Sequence, residues 1–336
     1  MRSLATVVFA ILFLTVSVPV HAYDARFANT DRLLQWINDY RKHPQPNAVP
    51  AAVKAMHGLG LFKDQEKAGL LIGFIAGVLG SNQKQASKLV TQMFPMPAKE
   101  QGIIIRAIAY SGLPDWPALM SKFEKRMALR KPLINDYISG KEKTLDELGV
   151  DEGAFVIDSL WGYYAATGSN APVLRIISAL PWSNDIRGSK KFSWAKFRAA
   201  FNSEEGKDAV RKITAGNMAK WTLTANAERD RGLLGLYKME IKYQPPEVVA
   251  PLKEVIAAAE TYDADRVHKE AKAAIEKIKA KHPGDAEWTR TSYAGSVAIA
   301  TGCVVASASG VAGIAAPCVI GGALYSGAVK LWNTAR

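Results

Sequence analysis

The sequence predicts an all-α protein: stacked αα-hairpins of the α-solenoid type, then a long helix, then an apolar, Ala/Gly-rich helical hairpin. Three observations carry this. Apolar residues recur at i, i+3, i+4 and i+7 along most of the chain, the period of a helix with one buried face. A helix–glycine–turn–helix unit of about 30 residues occurs three times, as in stacked repeats. Residues 291–329 hold no Asp, Glu, Lys, Arg or His across 39 positions.

Taken in order, residues 1–22 read as a secretion signal. Arg2 supplies the positive start, Leu4 to Val18 the apolar core, Pro19 the break, and Val20-His21-Ala22 a small-x-small cleavage site. No Cys follows that core, so it is not a lipoprotein signal. Export removes most cytoplasmic ATP- and NAD-dependent chemistry from consideration. The net charge of +12 fits anionic lipid head groups or acidic wall polymers as partners. The basic residues are dispersed, which argues against nucleic acid. Their densest group, Lys190, Lys191, Lys196 and Arg198 among Phe192, Trp194, Phe197 and Phe201, reads as a surface helix or an interfacial one.

Residues 23–182 form the hairpin region. A short helix over 31–40 ends at an elbow containing Pro44, Pro46 and Pro50. The three units are 66–94, 98–127 and 151–180, with 130–149 inserted between the second and third. Gly80, Gly112 and Gly168 stand where each first helix should end in the left-handed conformation. An Asn or Asp then caps the next helix, and Pro117 and Pro172 occupy first-turn positions where a missing N–H is harmless. Ile157, Leu160, Trp161, Tyr164 and Ala165 give the third unit its apolar face. Short hairpins can also form an irregular bundle, and the pattern alone leaves that open.

Residues 183–284 begin irregular and aromatic, become helical over 203–239 with a break near Asn226, and end in a long helix opened by Pro245-Pro246. Its inward face is Val249, Leu252, Val255, Ile256 and Ala259. Residues 285–336 carry the uncharged tail. Ala294, Ala298, Gly302, Ala306 and Gly310 line one helix face with small side chains, which lets another backbone approach. Pro317 argues against one continuous helix. Cys303 and Cys318 are equidistant from the Gly310–Val311 junction, so a fold there sets them level as a disulfide pair. The tail either contacts a membrane or is buried as a soluble hairpin. A single span would put Lys330 and Arg336 in the cytoplasm; a hairpin returns them outside.

Motifs for chemistry are lacking. The histidines are scattered with no metal-ligand spacing, and neither Gly-x-Ser-x-Gly nor a phosphate loop is present. Ser81-x-x-Lys84 and Ser193-x-x-Lys196 lack the companion motifs of penicillin-binding enzymes. Glu204-Glu205 and Asp263/Asp265 read as solvated pairs. No catalytic residue, metal or cofactor is assigned. Arg106, Asp158 and Arg175 each interrupt an apolar helical run. A charge facing a core needs a partner, so they read either as ion pairs between hairpins or as a polar spot in a binding groove with Tyr110, Trp161 and Tyr164.

The stretches Arg106-Ala-Ile-Ala-Tyr-Ser-Gly-Leu-Pro-Asp-Trp116 and Leu160-Trp-Gly-Tyr-Tyr-Ala-Ala-Thr-Gly168 resemble segments of uncharacterised exported proteins of Gram-negative bacteria. That resemblance implies an envelope location and brings no activity with it. Three functions are compatible with the whole. The first is a periplasmic binding or scaffold protein with a protein or peptide partner, attached to the membrane or self-associating through its tail. The second is a pore-forming or translocated protein that inserts the tail, and the third an envelope hydrolase with unassigned carboxylates.

Overall fold

A computed structural model describes residues 25–184 and 204–260, and among them there are only helices and turns, with no strand. The signal, the basic aromatic stretch, the end of the long helix and the tail with Cys303 and Cys318 lie outside the described residues. Among the described residues no helix is long and apolar enough to cross a membrane.

Helix α1 (Thr30–Asp39) starts where the Asn29 side chain accepts a hydrogen bond from the Arg32 amide at 2.9 Å, and it buries Leu33 and Ile37. The proline elbow does more than turn the chain. Pro46 opens a short 3-10 turn and Pro50 lies in the first turn of α2 (Val49–Gly58), a helix that the sequence pattern had not disclosed.

The first hairpin is α3 (Gly69–Ser81) and α4 (Ala86–Met93), the second α5 (Gln101–Ala109) and α6 (Trp116–Phe123). The inserted segment contains α7 (Lys131–Ile138), and the third hairpin is α8 (Ala154–Thr167) and α9 (Asn170–Ile177). Next come α10 (Glu204–Arg229), α11 (Arg231–Glu240) and α12 (Pro246–Glu260). The break expected near Asn226 falls at Asp230, whose carboxylate caps α11 by accepting from Gly232 N at 3.1 Å.

Helix α3 is the hub. It is apolar on every side, and Ile72, Phe74, Ile75, Val78 and Leu79 are wholly buried. Each such side chain contributes about 1.5–3 kcal/mol by leaving water. Its most extensive partner is α8, with α5 on another side. Gly69 lies against Phe155, Gly73 against Ser159, and Gly77 against Tyr163 and Ala166, so α3 and α8 run parallel. Gly80 against Ser111 and Gly102 against Gln65 place α5 parallel to α3 as well. The first helices of the three hairpins are thus parallel neighbours in the order second, first, third, not in chain order. What selects this order is the seam Gly69-x-x-x-Gly73-x-x-x-Gly77. A Cβ on Gly73 would stand 1.9 Å from the Ser159 carbonyl oxygen, and one on Gly162 2.0 Å from that of Leu70. The two backbones touch.

This seam also corrects the expected helix ends. Gly112 and Gly168 are left-handed, at φ 68° and 69°. Gly80 is not; it sits inside α3, where a Cβ would meet the Ser111 carbonyl oxygen at 2.2 Å. There, glycine serves close approach and not handedness. The expected Asn/Asp caps fail too. Asn82 donates back to the Val78 carbonyl at 2.8 Å, and Asp115 makes no side-chain cap. Ser169, not Asn170, caps α9 by accepting from the Ala171 amide at 3.4 Å. Helices α10–α12 pack onto the third hairpin and the turn Leu180–Asn184, and one core cluster runs through both described segments. On α12, Leu252, Val255, Ile256 and Ala259 face that core as expected, with Val248 more deeply buried than Val249.

Candidate functional site

The six residues expected to share a groove divide into separate surroundings. Arg106 lies on α5 with its guanidinium over the Phe155 ring at 5.3 Å and Nη2 3.4 Å from Glu66, an exposed partner on the preceding hairpin. Its Nη1 is buried and has no hydrogen-bond partner. Tyr110, one turn on, is buried against Tyr137, whose hydroxyl donates to its own at 3.5 Å. Burial, and then the neighbouring phenol, drive the Tyr110 phenol upward from its ordinary value. Arg175 is elsewhere. It donates to the carbonyls of Leu145 (2.9 Å) and Leu148 (2.6 Å) and has Asp146 at 3.6 Å, clamping the insertion against α9.

Asp158, on the α8 face turned to α3, has no hydrogen bond and no ion pair. Neither Arg106 nor Arg175 reaches it, so the ion pair expected of it is not formed. Its Cβ is 3.0 Å from where a Cβ on Gly69 would be. The carboxyl is not sealed from solvent, but the protein packed around it strips enough water to push its pKa up to about 7.

Trp161 and Tyr164 are on the other side of α8, edge to face at 5.7 Å and both buried. The Tyr164 hydroxyl donates to Asp230 Oδ2 at 2.5 Å, and Arg41 donates to the same oxygen while its guanidinium lies over the Tyr164 ring at 5.1 Å. Burial raises the Tyr164 phenol, and its bond to Asp230 adds to that. This network ties the end of α1 to α8 and to the α10–α11 junction. Both Trp161 and Tyr164 are core residues, closed to a ligand in this conformation.

An open, lined cleft lies on α1 instead. It has a volume of about 500 Å³ and is bounded by Arg26, Arg32, Gln35, Trp36, Asp39, Tyr40, His43 and Gln45. Six of these, at 32, 35, 36, 39, 40 and 43, follow the i, i+3, i+4, i+7, i+8, i+11 spacing of one helix face, while Leu33 and Ile37 go to the core. That spacing was legible in the sequence, but mixed polar and aromatic types do not stand out in an apolar-periodicity reading. The floor is rigid. Trp36 meets Phe27 at 5.0 Å, Tyr40 at 5.3 Å and Phe74 at 5.5 Å, all edge to face. Arg26 lies over Phe27 at 5.3 Å and donates to the Gln45 side chain. Asp39 is drawn to Lys42 at 3.4 Å. Burial pushes the Tyr40 phenol up to about 12 against a smaller opposing pull from the Gln45 backbone, and its buried hydroxyl has no partner in hydrogen-bonding geometry.

Other chemistry is sparse. His57 Nδ1 is 2.7 Å from Glu100, a surface pair at the end of α2. Among the described residues no group of three or more His, Cys, Asp or Glu is placed to hold a metal ion. In comparisons with known proteins, no family model, curated protein or solved structure matches this chain.

Proposed function

We propose that the protein is an exported binding or scaffold protein of the cell envelope. Its helical body carries the binding surface, and its apolar terminal section folds as a hairpin that attaches the body to the membrane or to a second copy. The observation that best supports a binding role is the α1 cleft, an open concave surface with an aromatic floor and two arginines on its polar rim. The parallel first helices lying side by side are the part of a solenoid-like arrangement on which the scaffold reading draws. Support for export is the pattern of residues 1–22, and support for attachment is the charge-free run over 291–329.

Fractionation of cells producing the full chain, or the chain without residues 291–336, tests this reading. The full chain is expected outside the cytoplasm, with membrane association or self-association that resists salt and disappears on truncation. Its cysteines are expected to react with a thiol label only after reduction. Recovery of both forms as soluble cytoplasmic protein with reactive thiols contradicts the reading. Release of dye from liposomes at acid or neutral pH would instead favour a pore.

A further inference from the structure

We propose that the α1 cleft binds a small molecule in which an anionic group, phosphate or carboxylate, is carried on a flat ring. The proposal deepens the binding-protein reading and rests on it only for the idea that the body is a binding module. Four observations converge. The cleft, at about 500 Å³, is the size of a small-ligand site. Its lining holds Arg26, Arg32 and the ring N–H of His43 beside one carboxylate, Asp39, which Lys42 already partly neutralises. Both arginines also make contacts within the chain, and a planar guanidinium keeps several N–H groups for a second, bidentate partner.

The third observation is Trp36. It lines the cleft and is only half-buried although three aromatic neighbours hold its ring, so it keeps a fixed aromatic surface open to the cleft. The fourth is Tyr40. It is 2 % exposed, lines the cleft, and has a hydroxyl that lies near the Gln45 backbone but meets no partner in good hydrogen-bonding geometry. A buried hydroxyl left alone is unfavourable, and native structures leave few of them. With its phenol held well above neutral pH, Tyr40 keeps its proton and has a hydrogen to donate to an anionic acceptor. A neutral apolar ligand would use none of the cations, and a bare inorganic anion would leave Trp36 uncovered. The combination selects a molecule with both parts.

Calorimetric titration of the full chain with phenyl phosphate, inorganic phosphate and benzyl alcohol tests this, using wild type, Arg32→Gln and Tyr40→Phe. Arg32 is on the exposed rim, and circular dichroism confirms that each variant folds. Phenyl phosphate is expected to bind saturably, inorganic phosphate more weakly, and benzyl alcohol not at all. Arg32→Gln should weaken phenyl phosphate by about tenfold or more, the worth of a charged hydrogen bond. Tyr40→Phe should weaken it several-fold, while the Tm of the free protein stays equal or rises, because no internal bond is lost. Equal binding by wild type and Arg32→Gln, or no saturable binding, overturns the proposal. So does a Tyr40→Phe variant with lowered Tm and unchanged affinity, since the hydroxyl would then be serving the fold. Anionic vesicles that capture the chain in an Arg32-dependent way while phenyl phosphate does not bind would make the cleft a membrane contact and overturn the small-molecule assignment. Localisation is read by fractionation alone, so either result stands without the other.

Discussion

Asp158 and Asp230 meet opposite sides of the same helix, α8, and are treated in opposite ways. Asp158 looks onto α3 with no donor near it, while Asp230, arriving from the α10–α11 junction, accepts from Tyr164, Arg41 and the Gly232 amide. The difference follows from how closely the backbones approach. On the α3 side, glycine stands at Gly69, Gly73, Gly77 and Gly162, and backbone lies on backbone, so there is no long polar side chain to turn toward the carboxyl. On the other side the elements are held apart by Trp161 and Tyr164, and that spacing admits an arginine and a cap. Close packing and polar satisfaction compete for the same volume here, and α8 shows each winning once.

The largest expected effect breaks the tight side. Gly73→Leu inserts a side chain where even a Cβ would stand 1.9 Å from a carbonyl oxygen, so the hub cannot form and soluble folded protein should be lost. Expression with circular dichroism reads this directly. Next comes the satisfied side. Asp230→Ala removes a cap and leaves Arg41, 18 % exposed, without its anion, which should lower stability by about 2–4 kcal/mol in urea unfolding.

Comparable at neutral pH, vanishing in acid and of opposite sign, is Asp158→Asn. The folded pKa of about 7 lies above the unfolded value near 3.9, so between those limits the unfolded chain releases its proton first. Stability is therefore full near pH 4, falls as pH rises toward 7, and levels above it. The amide variant escapes that loss. The smallest effect is a control on glycine itself: Gly235→Ala in α11, where a Cβ meets nothing within 4 Å, should raise stability by up to about 1 kcal/mol through helix propensity. A destabilised Gly235→Ala would mean that the space around Gly235 is less open than its surroundings indicate.

Legibility in the sequence followed the same division. A helix with one apolar face, such as α12, is readable because its period is a local property. Gly112 and Gly168 were readable as helix ends for the same reason. Gly80 was misread because its role depends on Ser111, thirty-one positions away (111 − 80), which no local rule can see. The small-residue stripe of the tail has a counterpart in Gly69, Gly73 and Gly77, which the surrounding apolar residues disguise as an ordinary buried helix. Of the candidate site residues, Tyr110, Trp161 and Tyr164 are buried in the core, Arg175 clamps the insertion, and Arg106 and Asp158 are partly buried on either side of α3. The residues that do line a cleft are common polar types whose meaning comes from sharing a face of α1 above a fixed aromatic floor.

The most direct test is urea unfolding of the wild type and Asp158→Asn across pH 4 to 8. Equal stability is expected near pH 4, with a gap in favour of Asp158→Asn that widens to at most about 4 kcal/mol near pH 7 and then stays constant. Parallel curves at every pH, or a wild type that gains on the variant as pH rises, would mean that Asp158 has a partner and that the α3–α8 seam is more open than described.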